Sequence, residues 1–157
     1  MNPTPADRAR QAISDSGVAF VVTEHGPVRS LEEAAEARGL TPDRVLKSIV
    51  VRRGEGDYLF VLVPGGRAIS WPKLRSLLAV NRLSMPSADD ALAVTGYARG
   101  TITPFGSLSD LPVIADATIP AGHVSVGGGA HGVAFTVDSA DLVRVLDARV
   151  ADVTEAE

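Results

Sequence analysis

VLKSIVVRRGEGDYLFVLVP, residues Val45 to Pro64, is the stretch that decides the fold. Leu46–Arg53 and Tyr58–Pro64 are apolar and rich in β-branched residues, which reads as two strands. Gly54-Glu-Gly-Asp57 supplies the residues that a tight turn requires, so the pair is an antiparallel hairpin. Alternation puts Lys47, Ile49 and Val51 on one face, and Leu46, Ser48 and Val50 on the other. A lysine opening a buried strand is costly unless its ammonium meets an anion or a cavity. The competing reading is an edge lysine whose stem lies on apolar surface while its head reaches water.

Working outward, the upstream chain alternates helix and strand signals. Ala6–Ser16 reads as an amphipathic helix stopped by Gly17, and Val18–Thr23 as a strand. Ser30-Leu-Glu-Glu33 has the form of a capping box, with Leu31, Ala34, Ala35 and Leu40 on an apolar face. Thr41-Pro42 opens a single helical turn. Downstream, Ser70 caps a helix burying Leu74, Leu77 and Leu78. Arg82–Met85 is a candidate short strand, and Ser87 caps a helix ending at Gly96. Tyr97–Ser109 is a loop. Val113–Asp116, His123–Val126 and Val133–Val137 are further strands, and Ser139–Leu146 is a closing helix. The expectation is an α+β fold in one domain, 1–149, with a mixed, mostly antiparallel sheet and helices outside it. Residues 150–157 are expected to form a disordered acidic tail.

Composition narrows the function classes. The chain has 157 residues, 45% of them hydrophobic, with 15 glycines and 10 prolines, which suits strands joined by tight turns. It has no cysteine, which excludes disulfides, thiolate metal sites and a cysteine nucleophile. No apolar run approaches the ~18 residues of a membrane span. The N-terminus lacks an apolar signal core, so a cytoplasmic protein with no membrane partner is expected. The net charge is −4, with three acids and no base in the last eight residues. Two acid-free stretches, holding Arg44, Lys47, Arg52 and Arg53, then Arg67, Lys73, Arg75 and Arg82, form either a phosphate-facing surface or solvated rims.

Three features besides Lys47 could carry chemistry. Gly96-Tyr-Ala-Arg-Gly-Thr-Ile-Thr-Pro104 spaces two glycines and a proline so as to fix a rigid loop, able to present amide N–H groups to a ligand oxygen. Ser125-Val-Gly-Gly-Gly-Ala-His131 ends a strand in consecutive glycines; this is either an oxyanion cradle beside a proton-shuttling histidine or an ordinary hairpin turn. Asp116 ends an apolar strand, where a carboxylate either orients a substrate amine, pairs with Lys47, or caps a turn. His25, His123 and His131 have no metal-ligand spacing, so no metal and no cofactor are expected. There is no Gly-x-Ser-x-Gly elbow and no Walker loop.

Together and in this order, these segments resemble the YbaK/EbsC/ProX proteins, relatives of the editing domain inserted in bacterial prolyl-tRNA synthetase. The matching text is Glu24-His25, Ala34–Gly39, Val45–Val51, Val63-Pro64-Gly65, Thr95-Gly96-Tyr97, Gly100–Pro104, Asp116 and Gly127–Gly129. The resemblance implies a curved, barrel-like sheet. It implies hydrolysis of mischarged aminoacyl-tRNA, of tRNA(Pro) carrying Cys, Ala, Ser or Thr; a non-catalytic module binding tRNA ends or a small anion is the alternative. It casts Lys47, Gly100, Asp116 and His131 as catalytic candidates. His25, Ser48, Tyr97, Pro104, Gly127, Gly128 and Gly129 become candidates for substrate binding. The implied partners are the acceptor end of aminoacyl-tRNA and a synthetase, with the protein a monomer or homodimer. Thr23, Gly127 and Ala134 stand where cysteine-specific members carry tyrosine, serine and aspartate.

Overall fold

The structure is a computed structural model describing residues 3–157; Met1 and Asn2, where the N-terminal stretch and the expected domain begin, lie outside the described residues. Five helices are present among those residues: α1 (Pro5–Asp15), α2 (Leu31–Arg38), α3 (Trp71–Leu78), α4 (Ala88–Thr95) and α5 (Ser139–Val145). Hydroxyl or carboxylate side chains cap each one. Ser30, Ser70 and Ser87 accept the N–H three residues on, and Asp138 accepts from Ala140 and Asp141. Thr4 and Asp7 close a full capping box on α1. The box expected at Ser30 is open, because the Glu33 carboxylate accepts the Arg29 N–H instead.

Among the described residues nine strands form three sheets. The hairpin read from sequence is β2 (Leu46–Gly54) and β3 (Asp57–Pro64), paired antiparallel with Lys47 opposite Val63 and Ser48 opposite Leu62. β5 (Val113–Asp116) and β8 (Arg149–Ala151) extend it in parallel register, giving the order β2-β3-β5-β8. A second sheet, β1-β7-β6, is antiparallel throughout and uses Phe20–Glu24, Val133–Asp138 and His123–Gly127. The third pairs β4 (Arg67–Ile69) with β9 (Thr154–Ala156).

β3 and β5 are buried on both faces, and the two faces feed two different cores. Phe60 and Leu62 join Leu46, Val50, Val113 and Ala115 against Val124, Val126, Phe135 and Val137 of the second sheet. Leu59, Val61 and Val63 join Val51 and Ile114 against Ile69, Leu74 and Val153. Central strands flanked on both sides read as unbroken apolar runs, as these do.

Three expectations are corrected. The sheet is not closed or barrel-like: β1 and β8 are free edges, and between the first two sheets the pairing is one isolated bridge, Val45 to Ser125. A barrel requires a continuous ladder, and here the ladder between β2 and β6 stops after that bridge. Residues 150–157 are not a disordered tail, since β8 and β9 run through them and Val153 and Thr154 are fully buried. Arg82–Met85 is not a strand; Ser84 makes a single antiparallel bridge to Arg52.

Candidate active site

A cavity of about 530 Å³ opens where β2 and β6 part. Val45 to Val50 form its floor, and Gly127 at the end of β6 forms one side. Arg99, Gly100 and Ile102 of the loop after α4 close over it, and Met85, Pro86, Ala88 and Ala91 make an apolar wall. Arg38, the last residue of α2, completes the lining. The size suits a ligand larger than one small amino acid.

Glycine is required at two positions on this rim. Gly100 has φ +86°, and a Cβ there would lie 3.3 Å from His131 Cε1, so the loop passes directly beside that histidine. At Gly127 a Cβ would meet Ile102 O at 2.9 Å, because β6 and the loop are packed backbone to backbone. The loop is held from behind by Tyr97, a fully buried side chain whose hydroxyl donates to Phe105 O at 2.6 Å. Arg8 stacks 4.7 Å from the Tyr97 ring centroid and donates to Gly96 O and Gly106 O. Burial pushes the Tyr97 phenol up, with Arg8 acting in the other direction.

The sequence candidates divide into two groups. Lys47, Ser48, Gly100 and Gly127 line the cavity, and His131 stands beside Gly100. The Lys47 ammonium is turned along the β4–β9 side, where it donates to Arg67 O at 2.6 Å and pairs with Glu157 at 3.3 Å. It is 40% exposed, and an ion pair that open holds a lysine only weakly. Alternation was read correctly for this strand: Ser48, not Lys47, shares the face of Leu46 and Val50.

The second group lies elsewhere. Asp116 is buried at the end of β5, where it accepts from the Thr118 N–H and hydroxyl and from the Val153 N–H at 3.0 Å. Burial alone would raise its pKa, but those hydrogen bonds outweigh it and hold the carboxyl below the usual aspartate range. The pairing with Lys47 is not formed, and Asp116 fastens the β8–β9 segment instead. Tyr97 and Pro104 sit outside the cavity lining, Tyr97 in the core. His25 follows β1; its N–H donates to Gly132 O and its Nδ1 pairs with Gly26 O. The turn amides are already engaged: Gly128 N–H donates to Val133 O, and Gly129 N–H to Thr101 O. No oxyanion cradle remains at Gly128 and Gly129. Among the described residues the Arg99, Gly100 and Ile102 N–H groups have no internal acceptor, so the loop keeps backbone donors at the cavity, Gly100 among them.

Arg38 was missed by sequence reading as a site residue. Its Nη1 donates to the fully buried Ser125 hydroxyl at 3.0 Å, and burial lowers its pKa from the ordinary arginine range. The signal was available: Arg38 is three and four residues after Ala35 and Ala34, which are buried, so it belongs to the inward stripe of α2. Of the basic residues read as either a phosphate-facing surface or solvated rims, several are engaged within the protein. Arg44 donates to Ala121 O and His123 O, Arg53 pairs with Asp57, and Lys73 with Asp152. Among the described residues no three His, Cys, Asp or Glu side chains are grouped so as to hold a metal, and no helix is long and apolar enough to cross a membrane.

Comparison with known proteins gives a consistent picture. The family model for the aminoacyl-tRNA editing domain matches residues 25–145. The proline–tRNA ligase of Trichlorobacter lovleyi is 30% identical over 116 residues, covering 73% of this chain but 20% of that protein. The chain therefore spans about a fifth of the length of that curated ligase. EbsC of Enterococcus faecalis, a candidate Cys-tRNA(Pro)/Cys-tRNA(Cys) deacylase, is 23% identical over 82% of this chain and 79% of its own length. Among solved structures, a candidate trans-editing enzyme for prolyl tRNA synthetase superposes with a TM-score of 0.88 at 26% identity, covering 99% of this chain and 100% of that one.

Proposed function

The chain belongs to the aminoacyl-tRNA editing domain family, and from that premise we propose that it is a trans-editing deacylase: it hydrolyses the ester of tRNA(Pro) carrying a small wrong amino acid, Cys, Ala, Ser or Thr. The observation that carries this reading is the cavity at the β2–β6 seam. Lys47, Ser48, Gly100 and Gly127 meet there, within the segment that the editing-domain family model covers.

An aminoacyl ester is already activated, so a protein nucleophile is not needed. Water, or the substrate's own side chain, attacks the ester carbonyl. The tetrahedral oxyanion accepts a hydrogen bond from the Gly100 N–H, the ester C–O bond breaks, and a proton passes to the departing ribose oxygen. In this reading His131, beside Gly100, carries that proton. One lost oxyanion donor typically raises the barrier by ~3 kcal/mol, a hundredfold or more in rate. Lys47, held by a half-open ion pair and one hydrogen bond to Arg67 O, turns from these to the terminal phosphate or the ester oxygen at the cavity mouth. Asp116, Tyr97, His25, Pro104, Gly128 and Gly129 act by positioning backbone. In this reading the protein works in the cytoplasm as a monomer or homodimer. It meets the acceptor end of aminoacyl-tRNA, and a synthetase is a candidate partner for tRNA selection.

Incubation with tRNA(Pro) charged with Ala, Ser, Thr or Cys tests the proposal, read as release of free amino acid. Release from at least one member supports it. Binding across the panel without release would make the chain a module that holds tRNA ends.

A further inference from the structure

Among the described residues, two polar atoms on side chains that line the cavity have no partner. Arg38 Nε and Ser48 Oγ are both shut off from solvent and unsatisfied, and both residues line the space. Leaving one buried donor unpaired destabilises a fold, and two at one apolar cavity call for a ligand that pairs with them. The Arg38 side chain is not loose. It is fixed from the far side by Nη1 donating to Ser125 Oγ at 3.0 Å, on the residue that bridges to Val45 at the seam of the sheets.

We propose that Arg38 and Ser48 form a subsite that selects a hydroxylated aminoacyl side chain. Nε can only donate, whereas a serine hydroxyl both donates and accepts. A ligand hydroxyl admitted between them by rotation of the Ser48 side chain would satisfy both, accepting from Arg38 Nε and donating to Ser48 Oγ. An alanyl side chain would leave both atoms unpaired, and a thiol is a weak acceptor. A site that hydrogen-bonds a substrate hydroxyl can reject the analogue lacking it by up to ~10⁴–10⁵, far beyond what an apolar pocket achieves for one small group. The subsite thus narrows the substrate from the four small amino acids to serine and threonine. It rests on the deacylase reading above.

The test measures kcat/KM on Ser-, Thr-, Ala- and Cys-tRNA(Pro) for the wild type, Ser48→Ala and Arg38→Met, with thermal unfolding as a check on folding. In parallel, non-hydrolysable seryl- and alanyl-adenosine amides are titrated by calorimetry. The wild type is expected to favour Ser over Ala by about a hundredfold or more, and Ser48→Ala to reduce that ratio at least tenfold. Ser48→Ala removes one hydroxyl only, so it keeps the proposal testable even where Arg38→Met fails to fold. Equal turnover of Ser and Ala by the wild type, or a ratio unmoved by Ser48→Ala, overturns the subsite while leaving the deacylase reading intact. If nothing in the panel is hydrolysed, the deacylase reading fails. The calorimetry then decides the subsite: preference for the seryl amide, lost in Ser48→Ala, supports it, and equal binding of the two amides overturns it.

Discussion

Gly127→Ala probes the proposed chemistry through a single methyl group. The added Cβ would sit 2.9 Å from Ile102 O and 3.4 Å from Thr101 O, both backbone atoms that cannot rotate away. Ordinary contact begins near 3.4 Å, so the loop must retreat by roughly 0.5 Å or β6 must yield. The hydrogen bond from Gly129 N–H to Thr101 O, now 3.1 Å, would be strained by the same motion. Overpacking of this kind costs about 1–3 kcal/mol. For a domain of this size each kcal/mol lowers Tm by ~2–4 °C, so a fall of about 2–12 °C is expected. The Gly100 N–H, two residues along the same loop, moves with it. A 1 Å misplacement at a reacting centre can cost about a hundredfold, so half of that predicts a loss near tenfold in kcat. Single-turnover deacylation and thermal unfolding read the two effects separately. A variant with wild-type kcat and a Tm within about 2 °C would show that the loop does not position the reaction.

Lys47→Ala should abolish deacylation while leaving the fold intact, because it loses a partly exposed pair with Glu157 worth no more than ~1 kcal/mol and one hydrogen bond to Arg67 O worth about 1–2 kcal/mol; stopped turnover with intact circular dichroism is the expected result. Tyr97→Phe leaves the buried Phe105 carbonyl unpaired at a cost of about 1–3 kcal/mol, so Tm should drop while KM stays within a few-fold, Tyr97 being outside the cavity. Asp116 has a folded pKa below its unfolded value, so its contribution is complete above that unfolded value and is lost as pH falls through the folded one. Denaturant titrations from neutral pH down into the acid range below ~4 should therefore show stability falling with pH in the wild type, and a shallower fall in Asp116→Asn.

The hairpin was readable because its signals are local: two β-branched runs, a Gly-containing turn, and alternation that assigned each β2 side chain to its correct face. Three helix starts were readable for the same reason, marked by the capping side chains of Ser30, Ser70 and Ser87. β4, β8 and β9 were not, because they are three residues each and β4 finds its partner at the far end of the chain. Thr154 and Val153 look like members of an acidic tail until Ile69 and the Asp116 carboxylate are brought to them. That omission also hid where the Lys47 face leads. Gly100 was legible as a point of close approach, but Gly127 was read only as part of an anion nest or a hairpin turn, and the spent amides of Gly128 and Gly129 were not legible, since their acceptors lie on Val133 and Thr101. Arg38 carried a usable signal in its spacing from Ala34 and Ala35.

The feature that overturns the barrel expectation is the one that makes room for a site. Had β2 paired with β6 along its length, the strip from Leu46 to Val50 would be covered by backbone and Ser48 would have a neighbour across a ladder. Instead the pairing stops at Val45 and Ser125, and the space beyond it is the cavity. β2 is thus an edge strand whose exposed side is lined by side chains from α2, α4 and the loop after α4 rather than by another strand. An uncovered edge invites aggregation unless it is short, charged or occupied. Here Lys47 and Arg38 put charge at its start, and Met85, Pro86 and α4 wall off the rest. The same arrangement that protects the edge from another chain leaves one face of it open to a ligand end small enough to enter. The position of the candidate site follows from where the two sheets fail to join, and so does its mixture of apolar walls with a few unpaired polar atoms.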